Sequence, residues 1–351
     1  MTTFSDRPDT APGTRPVVAT ACGKIILLGE HAVVYGEPAV AVPLRAWRLS
    51  VVLSQPERWV MGEPAGQPSL DETIPTGLDA VMPRVRPDPN APTADFGEDP
   101  PLDVDLSDDA PAGSRRDVAR ALAAAAANLG VTLPVPLRVA VRSGGLRSGL
   151  GTSAALGTAC ARALLVWEGE EPDDERVLQA AAAVEQLFHS SPSGIDHTVS
   201  VTEQPVWFVK GRPAEALTGL PPLTLVLLPR RSSRSTAELV DGVRDRLVGD
   251  PTLVRTVAEL GRWTREGLAA WRDGDLVALG EAMTAQGRGL DRLGVVEEGD
   301  REAVHAALAA GARGAKITGA GGGGSLIALV ADDGAAVRDA WGPDAVTLTL
   351  S

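Results

Sequence analysis

The chain has little cysteine and little histidine, the residues from which disulfide and zinc scaffolds are built. Its 351 residues include two cysteines, Cys22 and Cys160, and four histidines. Two thiols give no disulfide framework, and so few imidazoles give no Cys/His zinc cluster. The sequence excludes both kinds of scaffold.

The chain also lacks an apolar leader, a long apolar run and an excess of positive charge. Residues 1–16 are polar and contain proline, and no later run approaches the length of a membrane span. The formal net charge of −13 argues against a nucleic-acid or anionic-membrane partner. We expect a cytoplasmic protein with a disordered tail at residues 1–16, bound to neither nucleic acid nor membrane.

Much of the negative charge is concentrated in one segment rich in proline. Residues 55–112 hold thirteen acidic residues against three arginines, and eleven of the 27 prolines. This composition is typical of solvated loops. We expect residues 55–112 to be an excursion from the fold whose acidity says little about the functional site.

The length of the chain predicts two domains, because it exceeds the usual range of a single domain. The apolar runs Val206–Val209 and Leu223–Leu228 read as strands, and the proline-bounded stretch between them, 213–222, is the best candidate for a boundary. The predicted domains are 17–216 and 217–351.

A glycine-rich loop, residues 143–155, follows a predicted strand at 136–141 and precedes a helical pattern. This arrangement directs free backbone N–H groups and a helix dipole at the loop, which favours a phosphate site. Thr152 and Ser153 stand where a hydroxyl could cap the helix or touch a metal bound to the phosphate. The alternative is a plain helix start after a flexible turn.

The beginning of the chain reads mostly as β-structure. We predict strands at 17–21, 38–44 and 47–53, with Lys24 directly after a glycine turn and Glu30 beside His31 in a second one. Lys24 could equally be an exposed lysine at a strand start. Glu30 and His31 could equally be turn residues.

Two further acids are predicted to approach each other. Glu185 comes late in a helix predicted from Glu175 to about His189 and capped by Asp173 or Asp174. Asp196 follows eleven residues later, after a turn that contains proline and glycine. Each acid alone is also explained as a partly exposed helix residue or a helix cap.

The second half of the chain contains a basic, hydroxyl-rich run at 230–236, predicted helices at 253–272, 276–290 and 298–310, and a glycine run at 319–324. The basic run suggests an anionic substrate group nearby, or an exposed helix turn. The glycine run formally fits the dinucleotide fingerprint. However, a strand is predicted directly after it, whereas the dinucleotide fingerprint is followed by a helix. We expect it to let the backbone pass very close to another loop or a ligand.

Four segments, taken together, resemble the signature motifs of the GHMP kinase superfamily, most closely those of its mevalonate kinase members. They are 22–36 with GEHAVVYG, 146–155, 185–196 with PSGID, and 316–325 with ITGAGGGGS. The resemblance spans residues 17 to 330, apart from the acidic segment. It implies an α+β fold, with an N-terminal domain of the ribosomal-S5-like type and a ferredoxin-like C-terminal domain.

The resemblance also implies an ATP-dependent kinase that uses Mg²⁺ to phosphorylate the 5-hydroxyl of mevalonate. Asp196 would take the hydroxyl proton and Lys24 would stabilise the developing charge, as phosphoryl transfer requires. The residues implied to contact ATP are Lys24, Arg147, Ser148, Gly149, Leu150, Gly151, Thr152 and Ser153. The implied Mg²⁺ ligands are Ser153 and Glu185. The residues implied on the substrate side are Glu30, His31, Ser193, Asp196, Arg234 and Thr236.

Some residues depart from the family pattern, and other activities therefore stay open. Cys22 stands where proline is usual, Thr152 where serine is, and His197 where asparagine is common. Phosphomevalonate kinase, another small-alcohol kinase and a non-catalytic ligand sensor are the alternatives, and a homodimer is left open. Residues 190, 191 and 197 flank Asp196 and bear on the choice of substrate.

Overall fold

The computed structural model describes residues 16–55, 102–106, 112–133, 137–142, 149–188, 194–230, 232 and 234–350. Its strands are β1 Val17–Leu28, β2 Ala39–Ser54, β3 Leu102–Leu106, β4 Leu137–Arg142, β5 Val206–Phe208, β6 Glu215–Ala216, β7 Leu223–Leu228, β8 Gly314–Ile317, β9 Leu326–Val330 and β10 Val346–Leu350. Its α-helices are α1 Ala112–Leu129, α2 Thr152–Trp167, α3 Asp174–Phe188, α4 Ile195–Thr202, α5 Thr236–Gly249, α6 Thr252–Asp273, α7 Leu276–Arg292, α8 Glu298–Ala309 and α9 Ala335–Trp341. The predicted tail 1–16, apart from Pro16, lies outside the described residues.

Two sheets organise the described part of the chain. The first has six strands in the order β3-β4-β2-β5-β6, with β1 also paired to β2. The second has four antiparallel strands in the order β10-β7-β9-β8. Helices and sheets therefore mix as the sequence predicts for an α+β fold.

The strand β2 is the central strand of the first sheet. It pairs with β1 along one edge, and with β5 and β4 at the two ends of the other. The sequence predicted two strands here, but the structure has one continuous strand of 16 residues. The apparent break is a bulge: Cys22 pairs with Arg48 while Gly23 pairs with Leu44, which leaves three residues of β2 unpaired with β1.

The strand β1 also differs from its prediction. It continues through Gly23 and Lys24 to Leu28, where the sequence suggested a glycine turn after Ala21. Lys24 therefore projects from the interior of a strand, next to the bulge. Its backbone is fixed by strand pairing to Pro43.

Part of the segment 55–112 belongs to the fold. Leu102–Leu106 form β3, which pairs in parallel with β4, so the interpretation of these five residues as a solvated excursion is wrong. The alternation of leucine and valine with aspartate explains the strand, because Val104 is buried while the segment as a whole is acidic. Residues 56–101 lie outside the described residues.

The largest core spans both sheets. It joins leucines and valines of β1 and β2 to the inner faces of α1, α2 and α3, and continues into β7, β9 and the helix α6. A smaller core beneath α4 contains Ile195, Val199 and Phe208. The two sheets are thus packed together, with the ends of β1, β8 and α4 close to their junction.

Candidate active site

Lys24 and Asp196 form an ion pair at the junction of β1 and α4. The Lys24 Nζ lies 3.0 Å from Asp196 Oδ1, and the two side chains are 6% and 21% exposed. Asp196 lies in the first turn of α4, which begins after Gly194, a residue with φ 92°. The structure thus brings together both residues that the sequence singled out as catalytic, and it contradicts the reading of Lys24 as an exposed lysine.

The helix α4 is anchored to β1 at its other end as well. Ser200 Oγ donates a hydrogen bond of 2.8 Å to the Cys22 carbonyl. Glu203 accepts hydrogen bonds of 2.7 and 2.8 Å from Arg48, and one of 3.0 Å from Arg162. Burial raises the pKa of Glu203, but these hydrogen bonds outweigh it and hold the pKa below its ordinary value. The position of Asp196 is therefore fixed by contacts along the whole helix.

The end of the first glycine loop lies against Lys24. The Lys24 backbone N–H donates to the Leu150 carbonyl at 2.9 Å. Gly151 is the N-cap of α2 in a left-handed conformation, φ 80°, without a side-chain hydrogen bond. Thr152 and Ser153 are buried in the first turn, after the N-cap, so neither of them is the N-cap residue of α2. Arg147 and Ser148 lie outside the described residues.

Glu185 reaches the same region from α3. It is 2% exposed, and its Oε2 accepts a hydrogen bond from Nδ1 of His197, the residue directly after Asp196. The alternative of a partly exposed helix acid is therefore wrong for Glu185, while its convergence with Asp196 on one site stays a prediction. The contact between Gly157 of α2 and Val184 of α3 brings the start of α2 beside the end of α3.

Glu30 and His31 lie in the turn after β1, and both are buried. Glu30 Oε1 accepts a hydrogen bond from Lys316 Nζ, and His31 Nε2 lies 3.0 Å from the Ala320 carbonyl. Burial raises the pKa of Glu30, although Lys316 and, more weakly, Lys24 oppose this, and burial lowers the pKa of His31. The turn is therefore an internal contact between the two sheets. Ser193 lies outside the described residues.

The second glycine run meets the first loop. A Cβ at Gly319 would lie 3.6 Å from the Gly149 carbonyl, and one at Gly321 only 2.2 Å from the Val295 carbonyl. The run is followed by β9, and no helix begins there, which agrees with the rejection of a dinucleotide fingerprint. The prediction that these glycines allow a close backbone approach to another loop is confirmed.

The basic run is placed less centrally. Arg234 and Thr236 are exposed at the start of α5, whose N-cap is Ser235 in a capping box with Glu238. Within the described residues, no hydrogen bond or ion pair joins Arg234 or Thr236 to Lys24 or Asp196. Arg230 lies 3.2 Å from the buried Asp300. A phosphorylated acceptor such as phosphomevalonate would need additional cations around its phosphate. Arg230, one of the candidates for that role, is already paired with Asp300.

Sequence analysis missed three buried polar residues that connect to the site: Lys316, Thr318 and Gln286. Gln286 interrupts the apolar face of α7 formed by Leu279, Met283 and Leu290, which is a visible signal. Lys316 also had a signal, because it is one of only three lysines among the 33 cationic side chains of the chain. In a chain that otherwise uses arginine, a lysine within an apolar strand merits notice.

Comparisons with known proteins agree with this geometry. Family models described as "GHMP kinases N terminal domain" and "GHMP kinases C terminal" match residues 116–204 and 264–345. The first range includes Glu185 and Asp196, and the second includes Lys316 and the second glycine run. Fold and site thus define a small-molecule kinase of this ATP-using class.

Individual relatives show which family within this class of kinases the chain belongs to. The chain is 31% identical over 326 residues to a mevalonate kinase of Thermococcus sibiricus, covering 89% of each chain. It is 32% identical over 325 residues to one of Thermococcus onnurineus, again covering 89% of each. The crystal structure of L. major mevalonate kinase in complex with R-mevalonate has the same fold, with a TM-score of 0.72 at 23% identity over 96% of this chain and 93% of that one. The chain belongs to the mevalonate kinase family of GHMP kinases.

The resemblance inferred from the motifs and the GHMP fold it implied are confirmed by these matches. As for membranes, none of the helices within the described ranges combines the length and the apolar character that a bilayer crossing demands.

Proposed function

We propose that this chain transfers the γ-phosphoryl group of ATP to the 5-hydroxyl of mevalonate, giving 5-phosphomevalonate and ADP. The observation that carries the proposal is the ion pair between Lys24 and Asp196, 3.0 Å apart beside the uncapped N-terminus of α2. A base, a cation and the N-terminus of a helix then converge on one point. These are the groups that an in-line phosphoryl transfer to an alcohol uses.

In this proposal Asp196 accepts the proton of the attacking hydroxyl as the new P–O bond forms. A carboxylate paired with a cation is a weaker base, so much of its contribution lies in orienting the alcohol. Lys24 stabilises the negative charge that develops on the transferred group and the departing ADP oxygen. Both side chains are anchored on regular elements, so little reorganisation is needed during the reaction.

The first glycine loop and the start of α2 bind the phosphates of ATP. The N-terminus of α2 has no side-chain cap, whereas that of α5 is closed by Ser235 and Glu238. Free N–H groups at a helix start favour phosphate, and the dipole of α2 adds to their effect. Gly149, Leu150, Gly151, Thr152 and Ser153 are the described residues assigned to this role.

Ser153 and Glu185 suit Mg²⁺, because a hydroxyl and a carboxylate are hard oxygen ligands. Among the described residues, no three or more Asp, Glu, His or Cys side chains lie close enough together to bind a metal ion by themselves. This fits an ion that takes most of its ligands from phosphates and water. When bound, Mg²⁺ would neutralise phosphate charge, while Glu185 is held in place by its hydrogen bond to His197.

The acceptor side is assigned to Glu30, His31, Ser193, Arg234 and Thr236, with Arg234 for the substrate carboxylate. Glu30 and His31 have the strongest support, because both are buried and His31 Nε2 lies 3.0 Å from the Ala320 carbonyl of the second glycine run. We also assign two domains, 17–216 and 217–351, which separate the six-stranded sheet from the four-stranded one.

The test is steady-state ADP release with Mg-ATP and a panel of acceptors: mevalonate, phosphomevalonate, galactose and small amino alcohols. The proposal expects turnover with mevalonate and at most one-hundredth of that rate with the others. An Asp196→Asn variant is the blank for contaminating kinases. Turnover with phosphomevalonate instead would overturn the assignment of substrate, and ATP binding without any turnover would overturn the assignment as a kinase.

A further inference from the structure

The acceptor side of the site is held by a row of buried polar contacts between the two sheets, which we call the polar seam. Its members from the first sheet are Ile26, Gly29, Glu30 and His31, and those from the second are Gln286, Lys316, Thr318 and Ala320. We propose that Lys316 is a positioning residue for the acceptor: it holds the Glu30 carboxylate through Oε1 so that Oε2 can accept a hydrogen bond from a substrate hydroxyl. This rests on the function proposed above.

The backbone around Glu30 is fixed on both sides by the seam. Thr318 Oγ1 accepts from the Ile26 N–H at 3.1 Å and donates to the Ile26 carbonyl at 3.0 Å. The Gly29 N–H donates to Gln286 Oε1 at 2.9 Å. These contacts use only backbone groups of Ile26 and Gly29. They hold the end of β1 against β8 and α7 without the help of the Glu30 and His31 side chains.

Gln286 is itself held rigidly. Its Nε2 donates to the Leu260 carbonyl at 2.9 Å and to Thr264 Oγ1 at 2.8 Å. The amide oxygen is therefore aimed at Gly29, because two acceptors hold the NH2 group on the other side of the amide. The seam connects α6, α7, β8 and β1 through one chain of hydrogen bonds.

Lys316 has the chemistry of a dedicated partner for Glu30. Both side chains are fully buried, with 0% exposure. The Lys316 Nζ donates to Glu30 Oε1 and to the Ile317 carbonyl at 3.0 Å. Gly287 of α7 leaves room for the lysine, because a Cβ there would approach Lys316 Cβ to 3.3 Å.

The second oxygen of Glu30 has no hydrogen-bond partner. Glu30 Oε2 is one of three buried side-chain atoms in the described part of the chain that lack one. A buried carboxylate oxygen without a donor is unfavourable, and such atoms call for a ligand or another explanation. A hydroxyl of the acceptor would supply the missing donor.

Glu30 also lies within electrostatic reach of the catalytic pair. The charge of Lys24 acts on the Glu30 carboxyl and lowers its pKa, against the larger effect of burial, which raises it. Burial likewise lowers the pKa of Lys316, with Glu30 opposing.

A purely structural pair would behave differently. Burying two charges is costly, and removal of one partner destabilises a protein whether or not the pair has a role in binding. Such a loss would lower Tm and change the constants for both substrates alike. A positioning role instead changes the KM for the acceptor selectively, and makes the effects of Lys316 and Glu30 non-additive.

The experiment compares Lys316→Met, Glu30→Gln and the double variant in the full-length enzyme, measuring kcat, both KM values and Tm. We expect Lys316→Met to raise the KM for the acceptor at least tenfold while the KM for ATP stays within twofold. The double variant should be no worse than the poorer single variant. Asp275→Ala is the matched control: it removes the side-chain cap of α7, a contact that lies outside the seam, so it should lower Tm with the acceptor KM within threefold.

Several outcomes overturn the proposal. They are an acceptor KM within twofold of wild type in Lys316→Met, equal changes in both KM values, or additive effects in the double variant. If Lys316→Met does not fold, Lys316→Gln is measured instead with Glu30 unchanged. A rise of at least threefold in the acceptor KM with the KM for ATP within twofold then supports positioning, whereas an unchanged acceptor KM or equal changes in both KM values overturn it.

The acceptor panel on the wild-type enzyme separates this proposal from the proposed function. If another alcohol is phosphorylated, only the mevalonate assignment fails, and Lys316 is tested with that alcohol. If ATP binds and no alcohol is phosphorylated, both proposals fail together.

Discussion

Gly151 lies directly against Lys24. A Cβ at position 151 would come within 3.0 Å of Lys24 Cγ and 3.1 Å of its backbone nitrogen, and Gly151 has a φ of 80°. The turn that begins α2 and the lysine that pairs with Asp196 are therefore one packed unit. A change in the conformation of the turn therefore displaces Lys24 directly, because the two are in contact.

This contact predicts the effect of Gly151→Ala. The left-handed φ alone costs about 1–2 kcal/mol for an alanine, and the new methyl also displaces Lys24. We expect a loss of stability together with a loss of at least tenfold in kcat. Thermal unfolding and steady-state kinetics measure the two effects.

Gly169→Ala is the matched control for that variant. Gly169 has a φ of 79° at the other end of α2, with nothing within 4 Å of a Cβ. It should lose similar stability and keep its kcat. Equal kinetic losses in both variants would show that strain in α2, and not contact with Lys24, is responsible.

Asp196→Asn tests the proposed base. The amide keeps the shape and a hydrogen bond but cannot take a proton, so we expect kcat to fall by about 10²–10⁴-fold. Asp275→Ala serves as a control, since Asp275 caps α7 through the Val277 and Ala278 N–H groups. That control should lose about 1 kcal/mol of stability and no activity. Wild-type turnover in Asp196→Asn would remove the base assignment.

Lys24→Met tests the cation. A single preorganised charge contact contributes about 3 kcal/mol to a transition state, so we expect kcat to fall by about 10²-fold or more. Lys210 is an exposed lysine outside the site, and Lys210→Met should leave the rate unchanged. If both variants behave alike, Lys24 has no part in charge stabilisation.

The thiols offer a test of burial close to the site. Burial raises the pKa of Cys22 to about 11, with Glu203 adding to the effect, and that of Cys160 to about 12. At pH 8 roughly one Cys22 in a thousand is then a thiolate, against about one in four for an ordinary cysteine. We expect the native enzyme to resist a thiol-specific reagent and retain activity. Rapid labelling before unfolding would contradict the packing of β1 and α4.

The residues of the candidate site could be singled out from the sequence because local patterns mark them. Glycines before a helix, a helix acid and a turn acid are all short-range signals, and Glu185 does contact His197, the neighbour of Asp196 in the chain. Helix ends were also predictable, since Asp173 accepts hydrogen bonds from residues 175 and 176 as a cap should.

Other features had no local signal. The bulge between Cys22 and Gly23 looks in sequence like a turn, because an irregular strand and a turn both use glycine. The partners of Glu30 and His31 lie nearly 290 positions away, and no periodicity encodes such a pairing. Residues 102–106 were misjudged because aspartates on one side of a strand resemble the solvated segment before them.

The polar seam sets a condition on biosynthesis. The Ile26–Thr318 hydrogen bonds join residues 292 positions apart, and the Glu30–Lys316 pair spans 286. While the ribosome is still making the middle of the chain, the turn after β1 therefore lacks the partners that bury its carboxylate. The early half can form its sheet during translation, but the buried contacts of Glu30 and His31 can be completed only after β8 and the glycine run that follows it have been released from the ribosome.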